Sequence, residues 1–181
     1  MNRRHLIKTL GHFSPLAVIP SLSIARGSTQ PGWLQEFSAR WEVSEIYNRE
    51  VFTAMPEEFL DYEPVPEVMS FGKQFSHLSM GISGYASIIR GDDGLDEPAF
   101  MDGKVIFKYM EDCSADFRNM LDGLEEEQLY SKEHKYKDEE MWKDLSIADI
   151  LLLAYHHTAH HRGQAIVYLR LKGIEPPKYR F

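Results

Sequence analysis

Hydrophobic side chains recur at steps of three and four positions along four stretches of this chain, a spacing that places them on one side of an α-helix. The second stretch carries the stripe Phe71, Phe75, Leu78, Ile82, Tyr85 and Ile89, and the last stretch carries Ile150, Ala154, His157, His161, Ala165, Tyr168 and Leu171. The pattern predicts helices over residues 33–55, 70–90, 102–124 and 147–172. Four long amphipathic helices predict an all-α fold, a four-helix bundle with long connections.

Turn and capping residues set the predicted helix boundaries. Pro56 ends the first helix and Gly91 stops the second, while Ser70 is a suitable N-cap for the second. Ser146 begins the fourth helix with Asp149 at the third helical position, the spacing of a capping box.

Residues 125–144 are charged and irregular. We interpret this segment as a long surface connection with room for a short strand or turn. His134, inside it, is predicted to lie on the surface.

The amino terminus differs from the rest of the chain. Residues 1–25 carry three basic residues and no acidic one, and a mildly apolar run ends in Ser23-Ile24-Ala25, with small residues at the first and third of these positions. This composition predicts an export signal, and Arg3-Arg4 makes it twin-arginine-like, which would direct a folded protein to the periplasm. The alternative is a disordered extension of a cytoplasmic protein. Residues 26–32 are predicted to be a linker, and residues 33–181 a single domain.

Composition excludes several classes of protein. The formal net charge of −8 argues against a nucleic-acid partner, which demands clustered lysine and arginine. No stretch approaches the roughly 18 uninterrupted apolar residues of a membrane-spanning helix. The single cysteine, Cys113, excludes an internal disulfide and is interpreted as a small packed residue of the third helix.

The last helix contains four of the chain's eight histidines, at positions 156, 157, 160 and 161. Two histidines four residues apart share a helix face and can bind one metal ion, but the pairs 156/160 and 157/161 point about 100° apart. Only His157 and His161 continue the apolar stripe, which predicts that they point inward and that His156 and His160 lie on the flank or surface. Buried imidazoles need partners, so we favour a metal site over simple packing.

The second helix supplies a candidate third ligand. His77 lies at the edge of its apolar stripe, and Gly81 and Gly84 follow on nearby turns, which indicates close packing or an opening beside it. Such a histidine would by itself be interpreted as a surface or satisfied core residue. Three imidazoles that leave coordination positions open are typical of a reactive metal site.

Two segments carry a resemblance to a known family. The stretch from His157 to Gln164, followed by residues 169–177, resembles the carboxy-terminal signature of the DinB/YfiT-like superfamily, and residues 54–78 resemble its other hallmark. The resemblance implies a four-helix bundle in which His77, His157 and His161 hold a divalent metal ion, either zinc, nickel or iron. It also implies a possible homodimer.

The resemblance leaves the activity open. It implies either a metal-dependent hydrolase or a thiol S-transferase acting on a small-molecule substrate, and the alternative is a non-catalytic metal-binding or stress-related bundle. No general acid or base stands out among the residues. Arg162 and Gln164 either orient the ligands or tie the bundle together.

Overall fold

The computed structural model describes residues 32–98 and 102–180 of the chain. It contains four long helices: α1 (Trp33–Ala54), α2 (Phe71–Arg90), α3 (Gly103–Asp122) and α4 (Ile147–Leu171). Two short 3-10 helices, Glu57–Phe59 and Glu126–Gln128, lie in the connections, and no strand occurs within the described ranges. The predicted all-α class and the predicted bundle are confirmed, with helix ends within two residues of expectation.

The capping residues act as the sequence predicts. The Ser70 hydroxyl accepts a hydrogen bond from the Lys73 amide, and Gly91 ends α2 with a left-handed φ of 84°. At the start of α4, Ser146 and Asp149 form a complete capping box. Each cap satisfies backbone groups that the helix end would otherwise leave unpaired.

Helix α2 packs against both α3 and α4, and α1 closes the bundle against the same two helices. The core between them is rich in aromatic residues. Trp41 of α1 stacks on Phe117 of α3 with ring centroids 4.0 Å apart, and Phe52 of α1 contacts Phe75 of α2. Leu171, the end of the predicted α4 stripe, is exposed because it is the last residue of the helix.

The connection between α3 and α4 differs from expectation at one residue. His134 was predicted on the surface, but it is buried, with 7% of its surface exposed. The Lys135 amide donates to the Ile88 carbonyl near the end of α2, and this contact draws the segment onto the bundle. Backbone pairing of this kind leaves no hydrophobic pattern in the sequence.

Cys113 is buried on α3, as predicted, and burial raises the pKa of its thiol to about 12. Such a thiol is inert at neutral pH. Within the described part of the chain, no helix combines the length and the hydropathy needed to span a bilayer. The predicted export signal, residues 1–25, and nearly all of the predicted linker, residues 26–32, lie outside the described residues, so both stay predictions.

Candidate metal centre

The two histidine pairs of α4 separate as their helical positions predict. His161 is buried and His157 is half-buried, while His156 and His160 are exposed. The rings of His157 and His161 lie 4.5 Å apart between centroids because one helical turn separates them on the same face. This pair therefore faces α2, across the groove between the two helices.

His77 of α2 meets the pair from the other side of that groove. Its ring centroid lies 5.1 Å from that of His157 and 4.7 Å from that of His161. One ligand atom from each of the three residues can be chosen so that all three lie within 4.8 Å of one another. The structure thus brings the three predicted residues together, and their role as metal ligands stays a prediction.

His157 and His161 are held in the neutral form. Burial, together with charge repulsion from the neighbouring imidazoles, lowers the pKa of His157 and of His161 from 6.5 to about 4. A neutral imidazole keeps a nitrogen lone pair, which is the form that binds metal ions. At neutral pH these two rings are therefore prepared to act as ligands.

The arrangement fits a divalent ion. Nδ1 of His157 is buried and has no hydrogen-bond partner in the described part of the chain, a costly state for a polar atom. Within residues 32–98 and 102–180, no carboxylate is hydrogen-bonded to the three rings. Three imidazole nitrogen donors, with no fourth ligand grouped with them among the described residues, suit zinc, nickel or iron and leave coordination positions open.

Gly81 gives His157 its space. A Cβ built on Gly81 would lie 2.5 Å from Nδ1 of His157 and nearer still to Cε1, so any larger residue would collide with the ring. Gly84, one turn later, has no neighbouring atom within 4 Å. The close packing expected beside the site is therefore confirmed at Gly81, and Gly84 borders open space.

Gln74 is a site residue that the sequence analysis missed. Its Oε1 lies 2.7 Å from Nδ1 of His161, and its Nε2 donates to Oε1 of Gln164 at 2.8 Å. The available signal was its position three residues before His77, which places both on one face of α2. A glutamine among serines and glycines carries no distinctive motif, so only the folded structure reveals this contact.

The sequence left open whether Arg162 and Gln164 orient the ligands or tie the bundle together, and the structure places the two residues differently. Arg162 donates to the carbonyl and hydroxyl oxygens of Ser44 and to Oδ1 of Asn48, so it ties α4 to α1. Gln164 bonds Gln74 and also lies 2.6 Å from Nε2 of His160, so it belongs to the surroundings of the site.

The outer side of the groove is the accessible side. His77 and His157 are half-buried, and His160 beside them is exposed. The ring of Tyr85 lies 5.8 Å from that of His157, and burial raises the pKa of its hydroxyl, which therefore stays protonated at neutral pH. The partly exposed edges of His77 and His157 are therefore the parts of the site that solvent reaches.

Comparison with known proteins identifies the family of this chain and solved structures that share its fold. The sequence profile of the DinB family matches residues 28–181. No curated protein matches the chain.

Solved structures with a similar fold include three from bacteria. A DinB-like protein from Bacillus cereus ATCC 10987 superposes with a TM-score of 0.64 at 18% identity, covering 79% of this chain and 95% of its own. A DinB-like protein from Bacillus subtilis gives a TM-score of 0.61 at 22% identity, covering 80% and 98%. A conserved protein from Enterococcus faecalis gives 0.65 at 16% identity, covering 78% and 98%. At these identities the likeness establishes the fold alone.

Proposed function

The chain belongs to the DinB family, and from that premise we propose that it is a divalent-metal-binding protein that acts as a metalloenzyme of the hydrolase or thiol S-transferase type. The observation that carries the proposal is the meeting of His77, His157 and His161, with ligand atoms within 4.8 Å of one another. Neutral rings at His157 and His161, and the unpartnered Nδ1 of His157, support the same assignment.

The chain's own contribution to the chemistry is a set of three imidazole ligands on two helices, α2 and α4. When bound there, a divalent ion supplies Lewis acidity that lowers the pKa of a water molecule or a thiol, which makes either a nucleophile near neutral pH. No carboxylate among the described residues is hydrogen-bonded to the three rings, so an ion held by these imidazoles alone would keep its full positive charge. That charge favours an anionic nucleophile over a neutral one.

The groove between α2 and α4 determines how a substrate would approach. Gly84 leaves open space beside the rings, and the exposed His160 lies next to His161, with ring centroids 5.0 Å apart. The partial exposure of His77 and His157 would give a small-molecule substrate access to the site.

A non-catalytic metal-binding or stress-related bundle is the second candidate. It is favoured by one observation: no carboxylate among the described residues is hydrogen-bonded to the three rings. Turnover of an ester or of a thiol with an electrophile by the metal-loaded protein would contradict it. Metal binding without turnover across a screen of such substrates would support it and contradict the enzyme proposal.

Elemental analysis tests the metal site directly. Protein purified without an affinity tag is expected to carry about one divalent ion per chain, because three imidazoles with open positions form one site. His157→Ala and His161→Ala should each lose the ion, since two ligands hold it too weakly. His156→Ala is the matched control, because His156 is a neighbouring histidine of α4 that points into solvent. Retention of the ion by both ligand variants would refute the assignment.

A further inference from the structure

We propose that Gln74 is a positioning residue that holds His161 in the tautomer with its proton on Nδ1, and that the hydroxyl of Tyr168 sets the direction of this hydrogen bond. The inference rests on the proposed function, because the purpose of that tautomer is to leave Nε2 of His161 free for a metal ion. Metal-ligating histidines commonly donate their second ring N–H to a protein oxygen, which fixes the ring.

The Met69 carbonyl oxygen, which can only accept a hydrogen bond, fixes the direction of the hydrogen bonds in this network. The Tyr168 hydroxyl lies 3.0 Å from the Met69 carbonyl oxygen, so its single proton is donated there. The Tyr168 oxygen is then an acceptor, and the atom of Gln74 that faces it at 3.3 Å must be the amide nitrogen. Gln74 therefore turns its oxygen away from Tyr168.

That oxygen faces His161. Because Oε1 of Gln74 can only accept, Nδ1 of His161, 2.7 Å away, must carry the proton. The neutral ring has one proton, so its lone pair is on Nε2. A backbone carbonyl thus determines, through two side chains, which nitrogen of His161 can bind metal.

A second branch of the network agrees with this direction. Nε2 of Gln74 also donates to Oε1 of Gln164, and Nε2 of Gln164 donates in turn to Nε2 of His160. This branch ends at an exposed imidazole, which can change its tautomer to match either orientation of the amides. Only the branch through Tyr168 ends at a group that cannot change its role.

The residues of this hydrogen-bond network are buried, so the network determines the tautomer of His161. Gln74 is 1% exposed, Tyr168 is 5% exposed and His161 is 8% exposed. Water therefore cannot replace a missing partner, and reversing the Gln74 amide would set two acceptors or two donors against each other. Without this constraint, His161 would populate both tautomers, and the fraction with its proton on Nε2 could not bind.

Nuclear magnetic resonance of the metal-free protein tests the tautomer itself. Long-range ¹⁵N–¹H correlation spectra at pH 7.5, with nitrogen-labelled histidine, are expected to show His161 with the proton on Nδ1. The variants Gln74→Met and Tyr168→Phe are expected to shift His161 toward a mixture of tautomers. If the wild-type protein carries the proton on Nε2 of His161, or if Gln74→Met leaves the tautomer unchanged, the proposal is wrong.

Zinc affinity, measured by competition with a chromophoric chelator, is the second measurement. Gln74→Met is expected to weaken zinc binding by about 10- to 100-fold, and Tyr168→Phe to weaken it by a smaller factor in the same direction. Tyr109→Phe is the matched control, because Tyr109 is a buried tyrosine of α3 that takes no part in the network. An equal loss in Tyr109→Phe and Tyr168→Phe would overturn the role of Tyr168.

The two measurements separate this inference from the proposed function. A wild-type protein that binds none of zinc, nickel and iron would refute the metal-site proposal, whereas the tautomer of His161 in the metal-free protein decides the inference by itself. A protein that binds zinc tightly while Gln74→Met binds it equally well would refute the inference and leave the metal site standing.

Discussion

At the residue scale, the geometry of the three imidazoles depends on Gly81, a residue without a side chain. His157 packs its ring against the backbone of Gly81, at a distance that leaves no room for a Cβ. A glycine inside a helix costs about 1 kcal/mol relative to alanine. Gly81 is therefore a position where the chain gives up helix stability in exchange for the placement of a histidine.

Gly81→Ala should displace the His157 ring and weaken zinc binding by a factor at least as large as the roughly 10- to 100-fold that disturbing a ligand's orientation usually causes. The fold should persist because α2 gains a better helix former. Isothermal titration with zinc measures the affinity.

Gly84→Ala is the control for this prediction, since its Cβ would meet nothing within 4 Å. It should retain zinc affinity and raise the free energy of unfolding by up to about 1 kcal/mol. Equal zinc affinities of the two variants would show that the contact between Gly81 and His157 does not matter.

The low pKa of His157 and His161, about 4 compared with 6.5, links stability to pH. Between these two values the unfolded chain binds protons on both residues and the folded protein does not. The free energy of unfolding of the metal-free protein should therefore rise with pH across this window, and stability should be lost as the pH falls from about 6.5 toward 4. Urea denaturation at a series of pH values measures the dependence.

His161→Ala removes one of these two titrating groups, so its stability should depend less steeply on pH over the same window. The comparison uses the slope rather than the absolute stability, because the substitution also leaves a cavity. An unchanged slope would mean that the pKa of His161 is not lowered in the folded protein.

At the element scale, α1 begins without a cap of its own. Gly32 is its N-cap and offers no side chain, and the backbone amides of Trp33 and Leu34 instead donate to the carboxylate of Glu126. Glu126 lies in the connection between α3 and α4, which therefore fastens the start of the first helix. A negative charge at this place also interacts favourably with the helix dipole.

Glu126→Ala should lower the free energy of unfolding by about 1 kcal/mol, because two amides at the start of α1 lose their acceptor. Glu127→Ala is the control: Glu127 is the next residue of the same 3-10 helix, is exposed, and its side chain makes no hydrogen bond or ion pair with any residue that the structure describes. Chemical denaturation of both variants measures the difference. Equal stabilities would show that solvent satisfies the α1 amides equally well.

At the scale of the whole molecule, the bundle holds a polar site beside an aromatic core. The buried Arg162 joins α4 to α1 through Ser44 and Asn48, on a face of α4 different from the one that carries His157 and His161. His157 and His161 face α2, which supplies His77 and Gln74. Helix α4 is thus fixed through one face while it presents ligands on another.

Because the three ligands come from two helices, metal binding should stabilise the folded protein as a whole. Zinc at a free concentration of 100 times its dissociation constant should raise the free energy of unfolding by about 2.7 kcal/mol, since the unfolded chain does not hold the three rings together. Thermal denaturation with and without zinc, and after chelation, measures this effect. The double variant His157→Ala/His161→Ala should show no stabilisation, and stabilisation equal to that of the wild type would place zinc elsewhere.

The sequence was sufficient for the elements and for part of the site. The apolar stripe of α4 separated His157 and His161 from His156 and His160, because helical periodicity places a residue on a face whatever its partners are. The sequence did not predict the burial of His134, which follows from a backbone hydrogen bond between Lys135 and Ile88. The sequence also did not single out Gln74 as a residue of the site, because its role lies entirely in contacts with α4.

The order of residues along the chain by itself determined the four helices, their caps, the all-α class and the inward pair on α4. These properties depend on neighbours within about one helical turn, so they can be predicted locally. Only the tertiary structure decided that His77 meets this pair, that Gly81 makes room for His157, and that Tyr168 and Gln74 orient His161. These contacts join residues on different helices, and their distances are set by how the helices pack.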